Sequence, residues 1–472
     1  MNFLKNQSNI FVFQLILAVF LPFTGFAQWS TPVNLSPNAM SAKLNENMGP
    51  CIAANGDTLH VVWSDHRTQG FAIYYLHSLD SGLTWSNPVP ITDTMGKASD
   101  PVVAAYGKNV HVVWMDSVNG IRASFYKRSL NGGITWQPEI CLDSNTKFWP
   151  GVAVSGNKVY VSLDKIVSTS PYNTEVFLIT SINNGATWGN ENQISYGPDR
   201  SEDQSLAVLG KDVHFVWNDK RSGSFETYYR HSSDGGVSWG PETVVSGTGF
   251  SYGTMVCANG PDVNVVFGKL SSNNIHMNFS NDTGNTWGTE EQISFNPKSV
   301  LYPFLARSGS NLHVVYTHLN TVPMESWYLY SGNGGLTWNQ EILLGNGTQP
   351  FIAITGCIVH SIYFAGTWLA GGKIFYTRNP NGNGNCSNLN TTSFQENFSS
   401  IPFQNPNNGK FTVEVKRKSE IEIYNAAGEK VFSKTATGKQ EFLDLNLMTG
   451  IYFLKTETEK GFEVKKMLIQ NL

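Results

Sequence analysis

The sequence predicts an all-β protein: a seven-bladed β-propeller whose ring is closed by the N-terminal strand, followed by a small C-terminal β-sandwich. Three observations carry this. An eight-residue motif, Ser-x-Asp/Asn-x-Gly-x-Thr/Ser-Trp, starts at Ser78, Ser129, Ser181, Ser232, Ser280 and Ser331. Its closing tryptophans, Trp85, Trp136, Trp188, Trp239, Trp287 and Trp338, are 51, 52, 51, 48 and 51 residues apart, a period that belongs to solenoids and propellers. Finally, Trp29 to Leu35 repeats the pattern of Trp85 to Ile91, so the start of the mature chain reads like the end of a repeat.

Each motif position has a physical task. The acid or amide at the third position, Asp80, Asn131, Asn183, Asp234, Asp282 or Asn333, can accept hydrogen bonds from amides further along and so close a tight turn, while the glycine supplies positive φ. The tryptophan offers a large apolar surface to a neighbouring repeat. Six such turns serve the fold, so the motif itself is not expected to carry chemistry.

Within the first repeat, alternation and turn residues predict strand a over 50–54, b over 59–64, c over 72–77 and d over 85–91. The same order restarts at Pro101, Pro150, Gln204, Gly253, Pro303 and Pro350. The seventh repeat ends at Asn379-Pro380 without a strand d. Trp29 to Leu35 supplies it, which protects edges that would otherwise pair with other chains.

Composition agrees with an exported all-β chain. Basic and acidic residues number 32 and 36, which argues against a nucleic-acid surface. Residues 1–27 read as a signal peptide, with an apolar run from Ile10 to Phe23 and cleavage after Ala27. That run is shorter than the ~20 residues of a spanning helix, and no membrane span is expected in the mature protein. The propeller is assigned to 28–380, a linker rich in Asn, Gly and Ser to 381–400, and the last domain to 401–472. Five cysteines share no metal-ligand spacing. A Cys357–Cys386 disulfide is conceivable, and no metal or cofactor is expected.

The motif resembles the Asp box of sialidases and other sialidase-like propellers, in which the boxes lie on the face away from the active site. The count of seven blades departs from the six of sialidases, and their Arg-Ile-Pro signature is absent. The last 70 or so residues resemble the C-terminal sorting domain of type IX secretion. The shared features are Asn405-Pro406-x-x-Gly409-x-Phe411, Ile421-x-Ile423-Tyr424, Gly450-Ile451-Tyr452-Phe453 and Lys465 to Ile469. This resemblance implies a Gram-negative source, engagement of the secretion machinery, and release or attachment at the cell surface.

A propeller recognises ligands where its inner strands begin. Aligned repeats put Gly49, Asp100, Trp149, Asp203, Tyr252, Tyr302 and Gln349 at that ring. Aromatic faces suit a pyranose, and carboxylates suit its hydroxyls or acid–base work. Residues shared by many blades serve the blade; residues found once are better functional candidates. By that rule Asp65, Asp116, Asp164 and Asp219, placed at equivalent positions after strand b, are turn caps, and Arg67 and Arg221 recur in matching Trp-x-Asp-x-Arg segments. Asp199-Arg200-Ser201-Glu202-Asp203 and Arg122 are blade-specific.

The sialidase resemblance implies three arginines on a substrate carboxylate, a tyrosine nucleophile with a glutamate partner, and an acid–base aspartate. The matching types are Arg67, Arg122, Arg200 and Arg221; Tyr252 or Tyr302; Glu202 or Glu226; and Asp100. Trp149, Asp203, Arg67 and Arg221 are the glycan-binding candidates. Two functions follow: a monomeric carbohydrate-active propeller that binds surface or host glycans and hydrolyses a glycosidic bond, or a non-catalytic adhesion module with protein partners.

Overall fold

A computed structural model describes residues 29–383 and 410–469, apart from short segments at 46–48, 68–69, 119, 145, 296–298, 368–369, 415–418, 426–429, 437–439, 446, 448–449 and 459–460. The predicted signal peptide, the linker and the Asn405-Pro406 motif lie outside the described residues. Cys357 is disulfide-bonded, while Cys386, its expected partner, also lies outside them. Chain contacts divide the protein into two units, 1–388 and 389–472.

The first unit is a seven-bladed propeller built from antiparallel sheets. Blade 4 shows the pattern: Ser201–Leu209 innermost, then Asp212–Asp219, Glu226–Ser232 and the short outer strand Thr243–Val244. The outer strands pair over fewer residues than the sequence suggests; in blade 1 only Val89–Pro90 does so. Blade 7 consists of Thr348–Thr355, Ile358–Thr367 and Ala370–Asn379, and its outer strand is Val33–Asn34, with Val33 opposite Tyr376. The inner strand of blade 7 lies against that of blade 1, Ile52–Asn55.

Second strands are buried along nearly their whole length, as in Thr58–Asp65, because a blade is covered on both faces by its neighbours. This explains why large rings such as Trp63, Trp114, Trp217 and Phe267 can be fully buried on one face while histidines occupy the other.

Those histidines form part of a repeated seam. His60, His111, His214, His313 and His360 each place Nδ1 2.7–2.8 Å from a tyrosine hydroxyl on strand c, on Tyr75, Tyr126, Tyr229, Tyr328 and Tyr376 respectively. The hydroxyls of Tyr75, Tyr126 and Tyr229 donate onward to box carbonyls of the next blade, Gly132, Asn184 and Thr283. Where the preceding blade offers that tyrosine, the box tryptophan packs edge-on against it, as Trp136 does on Tyr75, Trp188 on Tyr126 and Trp287 on Tyr229. The seam continues across the chain ends: Trp85 of blade 1 packs on Tyr376 of blade 7, and Trp29 on Tyr328 of blade 6. Trp29 therefore does for blade 7 what the box tryptophans do elsewhere.

The boxes are built as their residue types require. Ser78 Oγ donates to Asp80 Oδ1 (2.8 Å), Thr84 N–H donates to the same oxygen (2.8 Å), and Thr84 Oγ1 to Oδ2 (2.6 Å). Asp234 and Asp282 repeat the arrangement, and Asn131, Asn183 and Asn333 keep it with the last bond reversed, their Nδ2 donating to the threonine hydroxyl. These bonds, led by that from Thr84, hold the Asp80 carboxyl down at about 2.

Three sequence alignments need correction. Asp164 is not equivalent to Asp65 and Asp219: those face Ala72 and Glu226, and in blade 3 the matching position is Lys165, opposite Glu175. Gly49 does not start a regular inner strand. In blade 1 Ala42–Lys43 pairs with Asp65 and Ser64, and pairing with the same strand resumes at Ile52. Tyr252 is one residue out of place in the ring, as shown below.

The second unit has a two-stranded sheet, Lys410–Glu414 with Gln440–Asp444, and a four-stranded sheet ordered Lys430–Ala436, Ser419–Asn425, Gly450–Thr458, Gly461–Ile469. Phe411, Val413, Ile421, Ile423, Leu443 and Leu454 form its own core.

Candidate functional site

From blade 2 to blade 7, every inner strand breaks register with strand b at the same place, after Ser99, Phe148, Glu202, Tyr252, Leu301 and Thr348, and blade 3 breaks once more between Thr146 and Phe148. The residue that follows is Asp100, Trp149, Asp203, Gly253, Tyr302 or Gln349. Five of these six are left-handed, with φ of 53° at Asp100, 60° at Asp203 and Gly253, 54° at Tyr302 and 52° at Gln349. Bulges of this kind re-aim a side chain. Blade 5 meets the requirement with glycine, which adopts that conformation freely; the others retain a side chain at a cost of order 1–3 kcal/mol each. In blades 2 and 4 to 7 the backbone is thus constant and the side chains vary, while Trp149 in blade 3 keeps the register break without the left-handed turn. Tyr252 shares the position of Glu202, one residue before the bulge.

A cavity of about 140 Å³ is lined by Gly49, Trp149, Gln204, Met255 and Phe304 among others, so that of the six bulge residues Trp149 alone reaches it. Gln204 Nε2 donates to the Trp149 carbonyl (2.9 Å) and fixes that segment. Asp203 N–H donates to Asp164 Oδ2 (3.2 Å), and Asn218 Nδ2 to Asp203 Oδ2 (3.2 Å). Asp100 Oδ2 accepts from Ser99 Oγ (2.8 Å), and its carbonyl accepts from Asn45 (3.4 Å). Gln349 is buried, and its backbone N–H donates to Thr317 Oγ1 (3.0 Å).

The remaining candidates are dispersed. Arg67 Nε donates to Asp65 Oδ2 (2.7 Å) and its guanidinium lies 4.2 Å from the Tyr74 ring centroid. Arg221 repeats this on Asp219 and Tyr228 (4.4 Å) and adds Glu242. Trp63 and Trp217 donate to the same two aspartates, so both arginines knit their own blades. Arg200 sits 3.6 Å from Glu202 and 4.9 Å from the Phe225 ring centroid. Arg122 is exposed, opposite Ser117 on a hairpin of blade 2. The Tyr252 hydroxyl donates to the Val300 carbonyl (2.8 Å), and burial pushes it up to about 12.

One carboxylate escaped the sequence reading. Glu175 is buried and accepts from Ser195 Oγ (2.5 Å) and Gly197 N–H (2.8 Å). Ser201 Oγ lies 3.1 Å from Glu175 Oε2 and 2.9 Å from Asp219 Oδ2, linking two blades. Glu175, Glu226 and Glu325 all face the residue after strand b, and that repetition in the sequence was the available signal.

A family model described as a BNR repeat-like domain matches residues 17–265. The chain belongs to this family. A second model, the secretion system C-terminal sorting domain, matches residues 403–470, so this BNR-repeat protein carries the tail that directs type IX secretion to the cell surface or beyond. No curated protein matches the sequence. Among solved structures, the chain is similar to an ulvan lyase bound to a GlcA–Rha3S oligosaccharide (11% identity, 73% of this chain and 95% of that one, TM-score 0.51). It is also similar to the polysaccharide lyase Uly1 (9%, 75% and 99%, 0.51) and to a Trypanosoma rangeli sialidase (12%, 81% and 86%, 0.43). At these identities the likeness is one of fold.

Proposed function

We propose that the secreted protein is a glycan-binding propeller that holds its ligand over the rim of the central channel. The observation that supports this most is the ring of bulges: one strained backbone, repeated at Asp100, Asp203, Tyr302 and Gln349, with Trp149 at the same register break in blade 3. Strain of this sort persists where side-chain direction matters. Aspartates, an indole and a phenol are the groups that recognise sugar hydroxyls and the apolar face of a pyranose. Two solved propellers of like fold are polysaccharide lyases. Binding without turnover is the better reading, because Arg67 and Arg221 are each committed to a carboxylate of their own blade and the Tyr252 hydroxyl donates to a backbone carbonyl.

A glycan array probed with the secreted protein tests this, paired with a fluorogenic sialoside. The expected outcome is a defined set of bound glycans, no sialoside turnover, and at least a tenfold loss of affinity in Trp149→Ala. Sialoside hydrolysis abolished by Asp100→Asn or Glu202→Gln would establish the enzyme instead. An array without any hit would favour a protein partner.

A further inference from the structure

Blade 1 differs from the others at its mouth end. Lys43, opposite Ser64, occupies the position held elsewhere by Ser99, Phe148, Glu202, Tyr252, Leu301 and Thr348, so a cation there is peculiar to this blade. Beside it opens a cleft of about 470 Å³ lined by Lys43, His66, Phe71, Met95, Lys97 and Ser99 among others.

The floor of the cleft is fixed by backbone pairing. Phe71 N–H donates to the Gly96 carbonyl (2.9 Å), Ala98 N–H to that of Phe71 (3.2 Å), and Ser64 Oγ to that of Ala98 (2.7 Å). A Cβ at Gly70 would overlap the backbone of Met95 and Gly96, so glycine is what lets the two walls approach. The Phe71 ring has His66 against it, centroids 4.8 Å apart, and Lys43 Nζ 6.0 Å from its centre. Lys97 is exposed on the opposite wall, next to Asp116, whose Oδ1 accepts from the amides of Lys97 (3.3 Å) and Ser117 (2.7 Å).

We infer that this cleft binds the acidic group of a carboxylated or sulfated sugar, with the pyranose face on Phe71 and the negative charge between Lys43 and Lys97. The proposal rests on the glycan reading above and names a ligand class and a place for it. Lysine ammonium groups are compact point charges that accept either anion without demanding planar geometry. The cleft also falls within the usual size range of small-ligand sites. In a protein of net charge −4, two lysines flanking an aromatic face make a local exception to the overall field. The sequence reading passed over these residues because Lys43 lies before the first regular repeat and Phe71 has a counterpart in Phe225.

Calorimetric titration of the full secreted protein tests the inference, with four probes: tetragalacturonate, its methyl ester, a sulfated galactan tetrasaccharide and the neutral galactan tetrasaccharide. Binding of the uronate, the sulfated sugar or both is expected, and which of them binds separates the two anions. The double variant Lys43→Gln/Lys97→Gln should lose at least tenfold in affinity with an unchanged melting temperature. Raising salt from 50 to 500 mM should weaken the parent but not that variant. Acidic sugars that bind the variant as well as the parent would overturn the cleft and leave the glycan reading standing. Failure of every sugar, here and on the array, would remove both. A polyglutamate peptide that binds as tightly as the uronate would overturn the assignment to sugars.

Discussion

Gly82→Ala should destabilise the propeller far more than a methyl added at a turn glycine with open space around it. Gly82 has φ of 80°, and a Cβ there would penetrate the hydroxyl of Tyr376. This is the seam at which the last blade meets the first, and Arg378 also donates to the Ser81 carbonyl across it (3.2 Å). Left-handed strain of about 1–2 kcal/mol and overpacking of about 1–3 kcal/mol add to an expected loss of about 2–5 kcal/mol. Gly56→Ala is the control: φ is 58°, but nothing lies within 4 Å of the new methyl, so only the conformational cost, about 1 kcal/mol, should appear. Urea midpoints measure the difference. In the Gly82→Ala/Tyr376→Phe double variant the clash is relieved, so the two losses should add to less than their sum. Equal effects of Gly82→Ala and Gly56→Ala would mean that the chain ends do not meet as described.

Acid should unfold the propeller cooperatively between about pH 6 and pH 4. Burial lowers His60, His111, His214 and His313 to about 4 and His360 to about 3, against an ordinary value near 6.5. The fold thus prefers the neutral imidazole. Above about pH 6.5 neither state is protonated and stability is flat. Below it the unfolded chain binds protons that the folded chain refuses, so stability falls with pH until the folded values are reached. Each histidine contributes a slope of about 1.4 kcal/mol per pH unit and a total of order 3 kcal/mol. Protonation at His111 and His214 would also create a buried Nε2–H for which no acceptor is present among the described residues. Melting temperature followed from pH 8 to pH 4.5 should be level and then drop steeply. His214→Gln should flatten the descent while lowering the plateau, because the bond to Tyr229 is weakened. A melting temperature that is level down to pH 4.5 would contradict the seam.

What was legible in the sequence was whatever repeats. Spacing of Trp85 to Trp338 announced the blades, and the likeness of Trp29 to Trp85 announced the closing strand, because both tryptophans fill the same slot against a neighbouring tyrosine. Register was harder. Asp164 was matched to Asp219 by residue type, although the strand pairs Lys165 at that place; an error of one residue moves a side chain to the other face of the sheet. Tyr252 was misplaced for the same reason, since the glycine that blade 5 needs for its left-handed turn follows it. The candidate site was legible only as a list of types. That Arg67 and Arg221 are spent on their own blades depends on the distances to Asp65 and Asp219. The cleft beside Lys43 depends on a strand pairing outside the repeat.

The most direct measurement is glycan affinity in four variants that keep the backbone and remove the side chain: Asp100→Gly, Asp203→Gly, Tyr302→Gly and Gln349→Gly, titrated with the ligand the array identifies. Glycine relieves the left-handed strain, so melting temperatures should hold within a few degrees, and at least two of the four should bind tenfold more weakly or worse. Four stable variants that all bind like the parent would contradict the claim that the ring presents its side chains to a ligand.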